Sequence, residues 1–234
     1  MTGTLLNVGT VLVGGLLGKA VGSRLPERMR LTVLHGLGLV TVVVGVQLTL
    51  QTTNVLIVMG AVLIGGVLGE WWRLEDRLQS AGAWLEARVH GQGAGQGSTF
   101  IQGFVTASLV FCVGPMTILG SIQDGLTGDF RLLAIKSLLD GFAALAFASS
   151  LGIGVVFSVL TILIYQGSLS LLAAQAQQVL TEAMIAEMTA TGGVLVAGIG
   201  LVLLELKRIR LASFLPAIAI APLIVGLLER LHIG

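Results

Sequence analysis

The chain has 234 residues, 55% hydrophobic and only 11% charged, with a mean hydropathy of +0.97, whereas a soluble domain carries about 25% charged residues. A net charge of +1 leaves no electrostatic footprint for nucleic acid. The single cysteine, Cys112, excludes an internal disulfide and a zinc or iron–sulfur cluster. Soluble classes are out, and the expectation is an all-α polytopic transmembrane helical bundle with no cofactor, its main partner being the lipid bilayer.

A helix needs about 20 mostly apolar residues to cross a hydrocarbon core of about 30 Å. The stretches 31–69 and 141–181 contain no Asp, Glu, Lys or Arg, and each is long enough for two spans. The apolar runs predict about eight spans (seven to eight), at 3–21, 31–50, 54–70, 99–122, 132–150, 153–173, 191–206 and 212–228. The first run has no basic leader and no cleavage site suited to a short apolar segment, so it counts as a span.

Span one carries the first copy of an internal repeat. Val8–Lys19 reads VGTVLVGGLLGK and Met59–Glu70 in span three reads MGAVLIGGVLGE, so Gly9, Gly14, Gly15 and Gly18 align with Gly60, Gly65, Gly66 and Gly69. Span seven, GGVLVAGIGLVLLELKRIRL, is a weaker third echo. All three run in the same direction under alternating crossings, which makes them parallel repeats. Pairs such as Gly14/Gly18 and Gly65/Gly69 let helix backbones approach closely in lipid. They suit packing inside the bundle or a homo-oligomer built through these faces. Internal repeats also raise the expectation of a transporter.

After span three, residues 71–90 place Trp71, Leu74, Leu78 and Leu85 among charges at helical spacing. The pattern fits a helix lying along the membrane surface and equally a helix packed on the spans. Residues 91–98, GQGAGQGS, read as a flexible linker. It separates a three-span part, 1–90, from a five-span part, 99–234.

Orientation follows from Lys and Arg in the short loops. Lys19, Arg24, Arg28 and Arg30 follow span one; Arg73, Arg77 and Arg88 follow span three; Lys207, Arg208 and Arg210 follow span seven. The segments 51–53 and 174–190, the latter with Glu182 and Glu187, have no basic residue. Basic loops in the cytoplasm and both termini outside are therefore expected, although Arg131, Lys136 and Arg230 run against the rule.

Span four contains Gly114-Pro115, where proline removes a helical donor and clashes with the preceding turn. One broken helix is expected there, either a tolerated kink or a discontinuity of the kind that forms ion and substrate sites. Ser121, Gln123 and Asp124 follow it. Asp124 and Asp129 each adjoin a glycine, as turn residues do. Asp140 lies inside span five, where an unpaired carboxylate costs about 2.5–3.5 kcal/mol on insertion scales. Lys136 and Ser137 share its helical face, so a Lys136–Asp140 ion pair and a cation-binding or proton-carrying Asp140 are the two readings. Ser149, Ser150, Gln166 and Ser168 are further oxygen donors on neighbouring spans. Asn7 and Asn54 suit interhelical hydrogen bonds, His35 a helix end, Cys112 an apolar filler, and Tyr165-Gln166 an interface.

Enzyme templates are missing: no metalloprotease, nucleophile-elbow, phosphate-loop or dinucleotide motif occurs in its required context. The expectation is that the protein is not an enzyme.

The run FVTASLVFCVGPMTILGSIQDGLTGD, with KSLLDGFAALAFASSLGIGVVFS and IYQGSLSLLA after it, resembles the bacterial membrane proteins grouped as domain of unknown function 554. GTLLNVGTVLVGGLLG at the start and TGGVLVAGIGLVLLELKRIRLASFLPAIAIAPLI at the end resemble the same family, so the likeness covers nearly the whole chain. It implies a multi-pass protein of the bacterial inner membrane, of transporter type and with no settled substrate. A fainter similarity joins the Gly114-Pro115 and Asp140-Gly141 neighbourhoods to lysine and metal exporters.

The function expected is transport or channelling of a small ion or solute, with a cation favoured. Its site would draw on Asp140, Asp124, Gln123, Ser121, Gly114, Pro115, Lys136, Ser137 and Gln166. The alternative is a non-transporting scaffold or regulator that assembles through its glycine faces.

Overall fold

Long charge-free runs become long helices, and the computed structural model describes residues 1–80, 97–207 and 209–231. Among them the elements are α1 (Thr2–Gly22), α2 (Glu27–Thr49), α3 (Val55–Trp71), α4 (Leu74–Ser80), α5 (Gly97–Cys112), α6 (Pro115–Thr127), α7 (Arg131–Leu151), α8 (Ser158–Leu171), α9 (Ala173–Val179), α10 (Glu182–Leu203) and α11 (Pro216–Leu231). Short 3₁₀ turns, Gly152–Val155 and Leu211–Phe214, lie after α7 and before α11. No strand occurs among the described residues. The expected linker at 91–98 lies almost wholly outside them, as does the 81–90 part of the amphipathic segment.

Three helix pairs build the bundle, each joining the N-terminal part to the C-terminal part. Parallel to α7, α1 packs so closely that a Cβ on Gly14, Gly18 or Gly22 would overlap the carbonyl oxygen of Gly141, Leu145 or Ser149. Antiparallel to α10, α2 brings Gly45 against Ala197 and Gly38 against Leu204. Antiparallel to α11 and its leading turn, α3 sets Gly65 on Ala217 and Gly69 on Ser213. Small residues permit this because dispersion, rather than water exclusion, holds helices together in lipid. The Gly14/Gly18 and Gly65/Gly69 faces thus pack inside the chain, the first of the two uses expected of them. The repeated sequences also serve different partners, α1 a parallel helix and α3 an antiparallel one.

These contacts define two ends. One holds the end of α3, where Arg210 pairs with Glu70 at 2.7 Å, and the α10–α11 turn. The other holds the start of α1, the α2–α3 turn and the start of α10. The start of α5 packs at the first end, its Phe100 backbone against Gly154, and α6 finishes at the second, with Asp124 against Gly3. Gly154 precedes α8, which ends against Gly125 of α6. Among the described residues five helices are long and apolar enough to cross a membrane on their own, and up to eight spans result if each bent pair is one. The end-to-end course of α5–α6 and α8–α9 agrees with eight.

Three observations differ from the expected segments. Span seven starts at Glu182 rather than 191, its first turn capped by Thr181, whose hydroxyl accepts from Met184 N–H at 3.2 Å. A second break joins the expected one: α8 and α9 bend by 78°, against 62° between α5 and α6. Finally, the described part of the amphipathic segment, α4, is tied to the spans. Asp76 pairs with Arg210 at 2.7 Å and Glu75 accepts from Ala212 N–H at 3.0 Å.

Candidate functional site

Asp140, one of the acids the sequence singled out, is buried on α7, and Lys136 one turn earlier is buried with it. Their side chains form an ion pair. Nine residues of helix separate Asp140 from the start of α7 at Arg131, so the pair sits well inside the bundle. Two amides complete it. Asn7 of α1 donates from Nδ2 to Asp140 Oδ2 and to Gln166 Oε1 of α8, both at 3.0 Å. Gln166 in turn donates to Thr4 Oγ1 at 3.3 Å. Thr4, Asn7 and Gln166 have no exposed surface. Breaking a buried ion pair from one side leaves a bare charge at a cost of about 3–5 kcal/mol, and the amides add directional bonds that fix the carboxylate.

Asp124 is linked to this cluster through α1. Far from a turn residue, it is buried in the last turn of α6. Its Oδ2 accepts from Gly3 N–H at 3.1 Å and lies 2.9 Å from the Met1 nitrogen. A carboxylate at a helix N-terminus satisfies donors that have no partner within the helix. Asp129 does occupy a turn, accepting from Arg131 N–H at 3.1 Å.

The remaining expected site residues are placed differently. Ser121 and Ser137 are buried, but their hydroxyls donate to the carbonyls of Thr117 and Leu133 on their own helices. Gln123 is exposed. Among the other oxygen donors, Ser149 donates to Ala146 O and the exposed Ser168 to Tyr165 O. Gly114 and Pro115 form the break itself: Gly114 is extended (φ −86°, ψ 151°) and Pro115 is the first residue of α6. A carbonyl freed by the break, Phe111 O, accepts from Thr117 Oγ1 at 3.0 Å. The proline therefore costs the helix a turn without leaving that acceptor bare. The break lies against the helices that carry the cluster, since Cys112 packs in one apolar core with Val11 of α1, Ala144 of α7 and Ile162 of α8.

A cavity of about 240 Å³ lies beside the end of α5, next to the break. Leu78, Phe104, Leu109, Cys112, Tyr165 and Ile218 line it, and the hydroxyls of Ser108 and Thr161 meet at 2.9 Å in its wall. Cys112 and Tyr165 both line this apolar space, and Tyr165 is next to Gln166 in sequence.

Two buried features were not foreseen. Thr4 shares with Asn7, Val11, Gly14 and Gly18 the buried face of α1. Their three- and four-residue spacing was a readable signal. Glu187, expected in a loop, is fully buried in α10. It accepts from Thr52 Oγ1 at 2.7 Å, Thr53 N–H at 2.8 Å, Thr53 Oγ1 at 3.0 Å and Asn54 N–H at 3.2 Å. It thereby clasps the α2–α3 turn.

The family model described as "Protein of unknown function (DUF554)" matches residues 2–226. The chain belongs to that family. It is 34% identical over 220 residues to the uncharacterized protein YqgA of Escherichia coli, covering 94% of each chain. It is 26% identical over 229 residues to the uncharacterized membrane protein YdfK of Bacillus subtilis, covering 96% of each. No solved structure matches. Both likenesses run over nearly the whole chain rather than one segment, and the relative named as a membrane protein agrees with a multi-pass membrane location.

Proposed function

We propose that the protein is a transporter or channel for a small ion or solute, with a cation favoured, working in the inner membrane with its basic loops in the cytoplasm and its termini outside. The observation that carries this reading is the buried Lys136–Asp140 pair held by Asn7 and Gln166 at the meeting of α1, α7 and α8. Ionisable groups inside spanning helices are expensive and concentrate on ion and substrate paths. A passing cation competes with Lys136 for Asp140, and the ammonium returns when the cation leaves. The amides hold the carboxylate in place through the exchange. The neighbouring helix break and the cavity lined by Cys112 and Tyr165 support a path at this level of the bundle.

The scaffold alternative relies on glycine faces free to bind a second copy, and their burial on α7 and α11 counts against it. The test is flux. Purified protein reconstituted in liposomes is expected to move at least one of Na⁺, K⁺, H⁺ or a small organic cation, followed with ion-sensitive dyes or isotopes. Absence of flux for all of them, with protein verified as folded, would contradict the reading.

A further inference from the structure

The Asn7 amide is held in its orientation from one end only. Both hydrogens of its Nδ2 are used, one on Asp140 Oδ2 and one on Gln166 Oε1, each at 3.0 Å. Its Oδ1 is fully buried and has no hydrogen-bond partner among the described residues. The two ends of a carboxamide have nearly the same shape, so neighbouring donors and acceptors decide which way it points. Here no donor pulls on the oxygen, and two oxygens pull on the nitrogen.

A half-turn about the Asn7 Cβ–Cγ bond would therefore sacrifice nothing at the Oδ1 end. It would bring Oδ1 to the spot now 3.0 Å from both Asp140 Oδ2 and Gln166 Oε1. Gln166 would keep its oxygen in place, because its own nitrogen is tied to Thr4 Oγ1 at 3.3 Å. Three oxygens from α1, α7 and α8 would then face one another. On their own such acceptors repel, and an unmatched buried acceptor costs about 1–3 kcal/mol. Around a cation the same three oxygens attract.

The surroundings narrow the class of that cation. Thr4, Asn7 and Gln166 have no exposed surface and Asp140 is 8% exposed, which suits a bare ion better than an organic cation or one with its water shell. A proton needs the carboxylate and has no use for two amide oxygens. Carbonyl-type oxygens replace the hydration shell of an alkali metal ion, whereas calcium sites collect 6–8 oxygens with several carboxylates. We infer, resting on the cation exchange at Asp140, that the exchanged ion is a dehydrated alkali metal ion ligated by Asp140 Oδ2, Gln166 Oε1 and Asn7 Oδ1. Asn7 turns its oxygen inward as Lys136 yields the carboxylate. The three helices stay joined throughout, first by the Asn7 N–H groups and then by the shared ion.

The test reads binding and flux separately on the purified full-length protein. Melting temperature is measured in detergent with LiCl, NaCl or KCl replacing choline chloride at constant ionic strength. Because a ligand that binds only the folded state stabilises it by mass action, the wild type is expected to melt higher as at least one of these ions rises. Gln166→Met, similar in length but without the oxygen, needs roughly tenfold more of that ion, the equivalent of about 1.4 kcal/mol. In liposomes its half-saturating concentration rises by the same factor while maximal flux changes less. Gln166→Glu, which restores an oxygen there, returns both values toward the wild type. A purely structural glutamine would instead lower melting equally in choline and in alkali chloride. Equal wild-type melting in all four salts, or the same ion dependence in wild type and Gln166→Met, would overturn the ligand set even where flux through Asp140 is seen. Absence of flux beside an ion-dependent melt that Gln166→Met shifts would contradict transport and leave the ligand set in place.

Discussion

Asn7 reaches from α1 to Asp140 on α7, its Nδ2 3.0 Å from the carboxylate Oδ2. The same nitrogen bonds Gln166 on α8, so one side chain fixes three helices around a buried charge. Replacing it with alanine removes both bonds and leaves the acceptors short of donors. Asn7→Ala is expected to lower stability by about 1–3 kcal/mol, read as a drop in melting temperature, and to cut flux by more than that loss of folded protein explains.

The α1–α7 seam depends on glycine where a Cβ would meet backbone. Gly18→Leu would press against the carbonyl of Leu145 and is expected to cost at least the ~1–3 kcal/mol typical of overpacking. The same repeat supplies its own control. A Cβ on Gly9 would have no described neighbour within 4 Å, and Gly9→Ala is expected to leave the yield of folded protein unchanged. Size-exclusion profiles and melting curves of the two variants check the contrast.

Glu187 holds the α2–α3 turn through four hydrogen bonds, two of them from the backbone of Thr53 and Asn54. Truncation to alanine leaves those N–H groups without their acceptor. Glu187→Ala is expected to destabilise by on the order of 3 kcal/mol, since bonds to charged groups contribute about 1.5–3 kcal/mol each and part is regained from water. Faster amide exchange at Thr53 and Asn54 would be the local signature.

Arg210 offers the opposite case. Its pairs with Glu70 and Asp76 are half exposed, and exposed pairs contribute about 0–1 kcal/mol. Arg210→Ala is expected to shift the melting temperature little, and less still at high salt. A large loss would mean that the α3–α4 junction needs this arginine to fold.

How much was legible in the sequence depended on whether local pattern or distant partners decided the outcome. Long apolar runs placed α1, α2, α3 and α7 within a few residues, because an apolar run in lipid has little choice but to close its own backbone bonds in a helix. Gly114-Pro115 announced the first break through proline chemistry that needs no neighbours. Lys136 and Asp140, one turn apart, announced their own pair. By contrast, α10 begins at Glu182 because Glu187 is matched by a turn far away in sequence, which no local hydropathy reveals. The bend at Leu172 carries neither proline nor glycine, so nothing local marked it. Ser121 and Ser137 looked like ligands by type, yet a serine in an apolar helix can satisfy itself on its own backbone.

The most direct test of the account is flux through Asp140→Asn. This substitution keeps the shape and an acceptor for Asn7 while removing the charge that a cation would exchange with Lys136. Measured in liposomes beside the wild type, at matched protein content and with both melting curves recorded, it is expected to retain a cooperative melt and lose most cation flux. Wild-type flux in the asparagine variant would contradict the assignment of the path to Asp140.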